Sequence, residues 1–383
     1  MERNMEQHKQ FDEPPFRASI IAPPKSSPLN VLQKLQHLCL QPAKNGSRSI
    51  SVDLLRIFAA SAIFYYHSGL FASWPLSRWG EFAVATFIYL TAYCTIRYSH
   101  SPIGRLRAYW WSRFKAIYPT FAIISILIYV ANFFYTPPKT GSHYTFSDLA
   151  ANLLMISQYV GKPWMTASMW FVPFVLQIYL ILPFFVRIPI RLYTLPVMFL
   201  VSGTACAIVY ALHPSATEQA YGICRNWSPL FRLPEVLLGC MLARSRSLAD
   251  AIAPIATYVA FCVLVALLAA VYPGASSTLL LPFKGVLVFV VLAAMTAALL
   301  PFIKNELSGV VALFGRAAFP FWLLHGPGVT FMGDKFGQNI LPWVLYFVLC
   351  WAGAVIFTIT LDRVVRRVGH RRSQRLQSAR WPS

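Results

Sequence analysis

Apolar segments about as long as a membrane span recur along this chain, with short polar breaks between them. An α-helix needs about 20 predominantly apolar residues to cross a bilayer. Ten segments approach this requirement: 51–72, 80–98, 116–135, 168–186, 194–212, 230–244, 251–272, 283–303, 316–332 and 341–361. Because lipid offers the backbone no hydrogen-bond partner, such segments fold as helices. The sequence therefore predicts an all-α, polytopic protein with about ten transmembrane helices, multi-pass in the cell inner (plasma) membrane.

Composition agrees with this class and argues against a nucleic-acid partner. Of the 383 residues, 57% are hydrophobic and only 12% are charged, whereas about 25% of the residues of a soluble protein are charged. A formal charge of +20 would suggest nucleic-acid binding in a soluble protein. In a membrane protein, Lys and Arg collect in cytoplasmic loops, so we expect the lipid bilayer as a partner and no nucleic acid.

The basic residues also predict the orientation of the chain. With an even number of spans, most of the 33 Lys and Arg residues fall in the two tails and in loops on the same side as the tails. The positive-inside rule then places both termini in the cytoplasm. We expect a largely disordered cytoplasmic tail at 1–50, a membrane domain at 51–361 and a basic cytoplasmic tail at 362–383. The tail at 1–50 lacks the apolar core of a signal peptide, so the first span is expected to direct insertion.

The first predicted span carries three ionisable residues, Asp53, Arg56 and His67. Arg56 and His67 are eleven residues apart, which places them within roughly 20° on one helix face and roughly 16 Å apart along the axis. Asp53 lies on the same side, about a sixth of a turn from Arg56. Ionisable residues in a span usually face the bundle interior or a watery cavity. The alternative is that Asp53 and Arg56 are interfacial anchors and that His67 caps the outer end.

Six motifs follow one another in an order that resembles the membrane-bound acyltransferase family 3. The first is DLLRIFAASAIFYYH, which has the family's Asp-x-x-Arg start and a histidine eleven residues beyond the arginine. The others are FIYLTAYC, RFKAIYP, MWFVPFVLQIYLILPFF, FRLPEVLLGCMLA and FPFWLLHGP. Each motif alone is weak, but together they cover about residues 50 to 365 in the family's order.

The resemblance implies about ten spans and an enzyme that O-acylates sugars or other extracytoplasmic acceptors. Through the first motif it implies catalytic roles for Asp53, Arg56 and His67, with His67 as general base or transient acyl carrier. The sequence departs from the family at 91–93, where Thr-Ala-Tyr replaces Ser-Gly-Phe. It departs again at Ala116, which replaces the second arginine of an Arg-x-x-Arg pair and leaves the role of that pair open.

Basic residues before the third predicted span are candidates for binding the donor. Arg113 matches the family motif and Lys115 lies beside it, and arginine forks suit the phosphate oxygens of acyl-CoA. The alternative is a loop that only sets topology. His325 and Glu235, in the ninth and sixth predicted spans, are further candidate substrate contacts. A lone intramembrane histidine is more often a packing residue, however, and Glu235 could instead pair with Arg232.

Several other residues remain open as candidates. Glu81 could orient the His67 ring. Trp164, Trp170 and Tyr179 could stack on a sugar, although Trp and Tyr also collect at membrane interfaces. No zinc-ligand spacing is found, and the seven cysteines resemble small buried apolar residues. We therefore expect no metal site and no bound cofactor.

These features favour one function over two alternatives. The favoured function is transfer of an acyl group, expected to be acetyl, from cytoplasmic acyl-CoA to a hydroxyl of a cell-surface glycan or glycolipid, such as an exopolysaccharide. The first alternative is a transporter or flippase of a polysaccharide precursor without acyl chemistry. The second is a scaffold subunit of an export complex. The expected partners are acyl-CoA, the acceptor and the bilayer, with other polysaccharide-biosynthesis proteins as further candidates.

Overall fold

The computed structural model describes residues 49–69, 80, 82–98, 106–134, 143–166, 168–187, 190–212, 223, 228–245, 248–271, 281–303 and 305–378. Within them the helices, numbered in chain order, are α1 (Ile50–Ser68), α2 (Ala83–Tyr98), α3 (Leu106–Ala131), α4 (Phe146–Leu153), α5 (Phe171–Arg187), α6 (Thr194–Leu212), α7 (Leu233–Arg244), α8 (Leu248–Val271), α9 (Leu281–Leu299), α10 (Asn305–Phe336) and α11 (Ile340–Ser378). These residues form helices and connecting turns without a strand. The predicted all-α class is therefore confirmed.

The helices coincide with the predicted spans. Each of the ten predicted segments overlaps one of them, and α4 falls between the third and fourth segments. In the described part of the chain, five helices are long and apolar enough to cross a bilayer: Leu106–Ala131, Thr194–Leu212, Lys284–Phe302, Glu306–Val329 and Ile340–Val365. Three shorter helices are also apolar: Ala83–Arg97, Phe171–Phe185 and Asp250–Val265. The structure thus indicates a membrane protein, whereas ten crossings stay a prediction.

Three helices extend well beyond their predicted spans. α3 begins at Leu106 rather than at 116, α10 begins at Asn305 rather than at 316, and α11 continues from 361 to Ser378. Hydropathy detects only the apolar part of a helix, whereas its hydrogen bonding continues through flanking Arg, Ala and Leu, which are good helix formers. The basic C-terminal segment therefore begins as a continuation of α11. The predicted N-terminal tail lies almost wholly outside the described residues.

Three clusters of buried apolar side chains hold the bundle together. The first joins α1 and α2 to α3, α4, α5, α7, α9 and α10, the second joins α1 to α10 and α11, and the third joins α2 to the helices α6 to α9. The closest-packed pairs are α10 with α11, α2 with α7, and α1 with α10. α1 and α2 each contribute to two clusters, and each is a member of one of these closest-packed pairs, so both helices lie inside the bundle. Other large apolar side chains, such as Leu349 and Ile356, are exposed, as expected for a surface that faces lipid.

A glycine lets α10 approach the charged end of α1. A Cβ atom at Gly315 would lie only 2.6 Å from the Oδ1 atom of Asp53, well inside van der Waals contact. Small residues at helix interfaces allow membrane helices to pack closely. The contact fixes the depth of α10 relative to α1 and places later turns of α10 beside the far end of α1.

Between α3 and α5, hydrogen bonds hold the described segment 143–166 in a defined conformation. α4 begins with a capping box: Thr145 Oγ1 accepts from the Asp148 N–H at 3.3 Å, and Asp148 Oδ2 accepts from the Thr145 N–H at 2.8 Å. After α4, the Asn152 side chain accepts from the Met165 N–H at 3.3 Å and donates to the Pro163 carbonyl at 3.0 Å. These bonds fix the path by which the chain returns to α5.

Candidate functional site

The ionisable stripe of α1 begins with an ion pair. Asp53 is fully buried, and Arg56 Nη1 donates to its Oδ1 atom at 3.1 Å. Arg56 Nη2 donates to the Sγ atom of Cys94 in α2 at 3.5 Å. Charged groups within a membrane are tolerated when they pair with one another. The pair therefore forms a polar site at the interface of α1, α2 and α10.

His67 lies at the opposite end of α1 and faces a second histidine. The ring centroids of His67 and His325 are 5.3 Å apart, with 48° between the ring planes. His325 is 1% exposed, and its Nε2 atom has no hydrogen-bond partner among the described residues. Its Nδ1 atom is 3.3 Å from the Phe321 carbonyl, which can only accept, so Nε2 of the neutral ring can accept a bond. The structure thus brings together two predicted site residues from α1 and α10, here called the histidine pair.

Neighbouring residues fix the position of His325. Tyr346 Oη donates to the His325 carbonyl at 2.6 Å and accepts from the Gly328 N–H at 3.0 Å. The rings of Phe64 and Phe321 flank the imidazole at centroid distances of 6.0 and 5.8 Å. The imidazole therefore has little room to turn away from His67.

Two hydroxyl groups lie beside the histidine pair. Thr166 Oγ1 and Ser168 Oγ are 2.9 Å apart, and both residues are buried. They contact Gly326, where a Cβ atom would lie 2.9 Å from Ser168 Oγ, so this close approach of the loop to α10 requires glycine. Hydroxyl groups both donate and accept hydrogen bonds, so these two side chains are suited to bind a polar ligand.

A cavity of about 1050 Å³ lies beside Arg113. Its lining residues are Leu106, Arg107, Ala108, Trp110, Trp111, Arg113, Phe114, Met155, Leu176, Tyr179 and Leu180. The guanidinium carbon of Arg113 is 5.3 Å from the ring centroid of Tyr109 and 5.4 Å from that of Tyr179. Lys115 is exposed, with its Nζ atom 5.7 Å from the ring centroid of Trp111. A cationic group among aromatic walls suits an anionic ligand with an apolar arm.

Tyr179 connects this cavity with the ion pair of α1. Its ring lies beside the Arg113 guanidinium, and Arg56 is close enough for its charge to act on the Tyr179 hydroxyl. Arg113 and Arg56 therefore belong to one polar region, while the histidine pair lies farther along the bundle. The sequence suggested Tyr179 only as a sugar-stacking residue and did not single out Cys94. Both residues could have been identified from the predicted orientation of the chain, because it places parts of α2 and α5 at the depth of Arg56.

Glu235 lies in a different buried cluster. Both of its carboxylate oxygens accept from Arg232: Nη2 is 2.6 Å from Oε1, and Nε bonds to Oε2. Arg232 and Glu235 are 2% and 0% exposed, so the pair is shielded from solvent. Nearby, the hydroxyls of Tyr89 and Tyr258 are 3.2 Å apart. The structure therefore shows the pairing with Arg232 that the sequence left open, in a cluster of α2, α7 and α8.

The remaining candidates give a mixed outcome. Glu81 lies outside the described residues. Trp170 is 7% exposed and packs edge-on against Phe171, so it is a packing residue in this structure. Among the residues that the structure describes, no group of three or more His, Cys, Asp and Glu side chains could hold a metal ion.

Asp148 in α4 lies outside the predicted spans and has a pKa below its usual value. Burial acts to raise the pKa of Asp148, but hydrogen bonds from Thr145 and Lys162 and the charge of Lys162 outweigh burial and lower it. The Lys162 Nζ atom is 3.3 Å from Asp148 Oδ1. Asp148 is therefore ionised at neutral pH and links the start of α4 to the returning chain.

Comparison with known proteins gives a consistent answer. A family model described as "Acyltransferase domain" matches residues 49–363. "Acyltransferase MdmB" from Streptomyces mycarofaciens is 24% identical over 218 residues, which cover 50% of this chain and 56% of that protein. The chain thus spans little more than half the length of this curated relative. No solved structure matches.

Proposed function

The chain belongs to the membrane-bound acyltransferase family 3, and from this premise we propose that it is an acyl-transferring enzyme, namely an integral membrane O-acyltransferase. The acyl group, proposed to be acetyl, moves from cytoplasmic acyl-CoA to a hydroxyl of a cell-surface glycan or glycolipid, such as an exopolysaccharide. One observation carries the proposal: α1 joins a cationic region at Arg56 to the histidine pair. The two regions suit the donor and the acceptor, respectively.

The proposal includes an orientation. The bundle crosses the cell inner membrane ten times, with residues 51–361 as the catalytic domain. The tails at 1–50 and 362–383 are cytoplasmic, which the distribution of Lys and Arg supports. The cavity beside Arg113 then opens toward the cytoplasm, and the histidine pair lies toward the outer side. Other proteins of polysaccharide biosynthesis are proposed partners that supply or receive the acceptor.

The cavity supports binding of acyl-CoA as a substrate. Coenzyme A carries phosphates at one end and an uncharged pantetheine arm at the other. Arg113 and Arg107 would hold the phosphates, because guanidinium groups form charge-assisted bonds with phosphate oxygens. Aromatic walls such as Trp110 would contact the arm. Lys115 is exposed and is proposed to contribute only long-range attraction. No metal or resident cofactor is part of the proposal.

The histidine pair supports acyl transfer to a hydroxyl. We propose that His67 takes the proton of the acceptor hydroxyl while its oxygen attacks the thioester carbonyl. A C–O bond forms, the C–S bond breaks, and the proton passes from His67 to sulfur, so that coenzyme A leaves as a thiol. A transient acyl-His67 would divide the same change into two transfers. His325 Nε2 would accept a hydrogen bond from the acceptor, and Arg56, held by Asp53, would steady the donor.

Glu235 is assigned a supporting role. Both of its carboxylate oxygens accept hydrogen bonds from Arg232, so in this structure the carboxylate is engaged by Arg232. We propose that the Arg232–Glu235 pair holds α7 against α2 and affects catalysis only through packing.

The alternative is a transporter or flippase without acyl chemistry. Sealed inside-out vesicles distinguish the two functions, because they present the cytoplasmic face to added donor. Given radiolabelled acetyl-CoA, vesicles that contain the protein should label the glycan fraction, whereas vesicles without it and right-side-out vesicles should not. Movement of the glycan precursor without labelling would support the transporter and contradict the enzyme.

A further inference from the structure

Three aromatic side chains form a layer across the bundle, called here the aromatic layer: Phe87, Phe171 and Trp322. The Trp322 ring stacks on Phe171 at 4.6 Å with 23° between the planes, and it meets Phe87 edge-on at 5.1 Å and 87°. Trp322 Nε1 donates to the Ser168 carbonyl at 3.0 Å, which fixes the orientation of the indole. Trp322 and Phe171 are 2% and 4% exposed, so the rings fill the space around them.

The position of Trp322 along α10 places the aromatic layer between the two polar regions. Trp322 follows Gly315, which contacts Asp53, by seven residues and precedes His325 by three. At 1.5 Å per residue, it lies about 10 Å beyond the ion pair and about 5 Å short of His325.

The other helices agree with this depth. Phe87 precedes Cys94, the contact of Arg56, by seven residues, and Phe171 precedes Tyr179 by eight, so each ring lies about two turns from the cationic region. On α1 itself, Ile63 occupies this depth on the ionisable stripe and is 1% exposed in the same apolar cluster. Apolar side chains from four helices therefore lie between the cationic region of Arg113 and Arg56 and the histidine pair.

We propose that the aromatic layer limits the length of the acyl group and so selects acetyl over longer chains. The inference rests on the proposed function, because the acyl group of a donor held at Arg113 must pass the layer to reach His67. The bond changes are those of thioester transfer: a C–O bond to the acceptor forms, the C–S bond breaks, and the hydroxyl proton ends on coenzyme A.

The physical reason is the lack of space beside the rings. Protein interiors are packed as densely as organic crystals, so each added methylene would displace a ring. A difference of one methylene in an apolar pocket changes specificity by roughly tenfold or more. Removing a ring of the aromatic layer should therefore relieve discrimination against longer acyl groups.

The test compares donors of different length in inside-out vesicles that contain the native acceptor. Wild type, Phe171→Ala and Trp322→Phe receive radiolabelled acetyl-CoA, propionyl-CoA or butyryl-CoA. The measured quantity is the ratio of butyryl to acetyl label in the glycan fraction, which does not depend on how much protein is inserted. We expect the ratio to rise about tenfold or more in Phe171→Ala and by a smaller factor in Trp322→Phe.

Phe199→Ala is the matched control. Phe199 is a buried phenylalanine of α6 in the third apolar cluster, 9% exposed, and its removal should leave the ratio at the wild-type value. An unchanged ratio in both Phe171→Ala and Trp322→Phe, or an equal rise in Phe199→Ala, would overturn the role of the aromatic layer. Neither result would affect the proposed function. Wild-type vesicles that incorporate no label from any donor would overturn the proposed function and this inference with it.

Discussion

Arg113 and Lys115 are two residues apart but differ in their surroundings. Arg113 lines the cavity, whereas Lys115 is exposed, so Lys115→Ala is a matched control for Arg113→Ala. A charge-assisted hydrogen bond contributes roughly 1.5–3 kcal/mol, so we expect Arg113→Ala to raise KM for acetyl-CoA about tenfold or more. Lys115→Ala should change KM much less. Steady-state kinetics at equal amounts of inserted protein measure both, and equal effects would mean that the segment only sets topology.

Glu235 gives a prediction about stability. Glu235→Gln would leave the buried Arg232 guanidinium without its counter-charge, which costs about 3–5 kcal/mol when one member of a buried pair is removed. We expect a clear fall in the thermal unfolding midpoint in detergent, and no such fall for Glu306→Gln, because Glu306 is exposed.

A double variant separates charge from packing at this site. Replacing a whole buried pair by apolar residues is often neutral, so Arg232→Met with Glu235→Leu should recover most of the midpoint lost in Glu235→Gln. A double variant that unfolds as early as Glu235→Gln would show that the ion pair itself is required.

At the scale of elements, the start of α4 predicts a pH dependence. The pKa of Asp148 is lowered from its usual 3.8, so the folded loop binds its proton less readily than the unfolded loop. The stabilisation is therefore fully present above about 3.8 and is lost as pH falls through the lower, folded value. We expect amide protection factors at 143–166, corrected for intrinsic exchange, to fall with acidification in wild type. In Asp148→Asn they should be lower at neutral pH and nearly independent of pH, and a fall equal to that of wild type would contradict this.

The stripe on α1 could be predicted from the sequence because it depends only on helical periodicity. Eleven residues make close to three turns, so Arg56 and His67 share a face in any straight helix. The facing of His67 and His325 has no such local signal. It depends on how α10 packs on α1, which Gly315 permits through its contact with Asp53. Hydropathy also failed to predict where α3 and α10 begin. It does not register the helical hydrogen bonds of the polar residues that precede each apolar segment.

At the scale of the whole molecule, one bundle holds two chemically different regions. Arg113 and Arg56 form a cationic region that shares Tyr179, and His67 with His325 forms a region suited to proton transfer. The aromatic layer separates them. Under the proposed function, this division would allow an acyl group to be accepted from one side of a membrane and delivered near the other, without a continuous aqueous path.

The central claim is that His67 removes the proton of the acceptor hydroxyl. The most direct measurement is acyl transfer from acetyl-CoA per molecule of inserted protein for His67→Gln, with His143→Gln as the control, because His143 is an exposed histidine outside the helices. Glutamine keeps hydrogen bonding but cannot take the proton, and a general base contributes roughly 10²–10⁴-fold in rate. We predict that His67→Gln inserts normally and loses activity by about that factor, while His143→Gln stays near wild type. A His67→Gln variant that keeps more than about a tenth of the wild-type rate would contradict the claim.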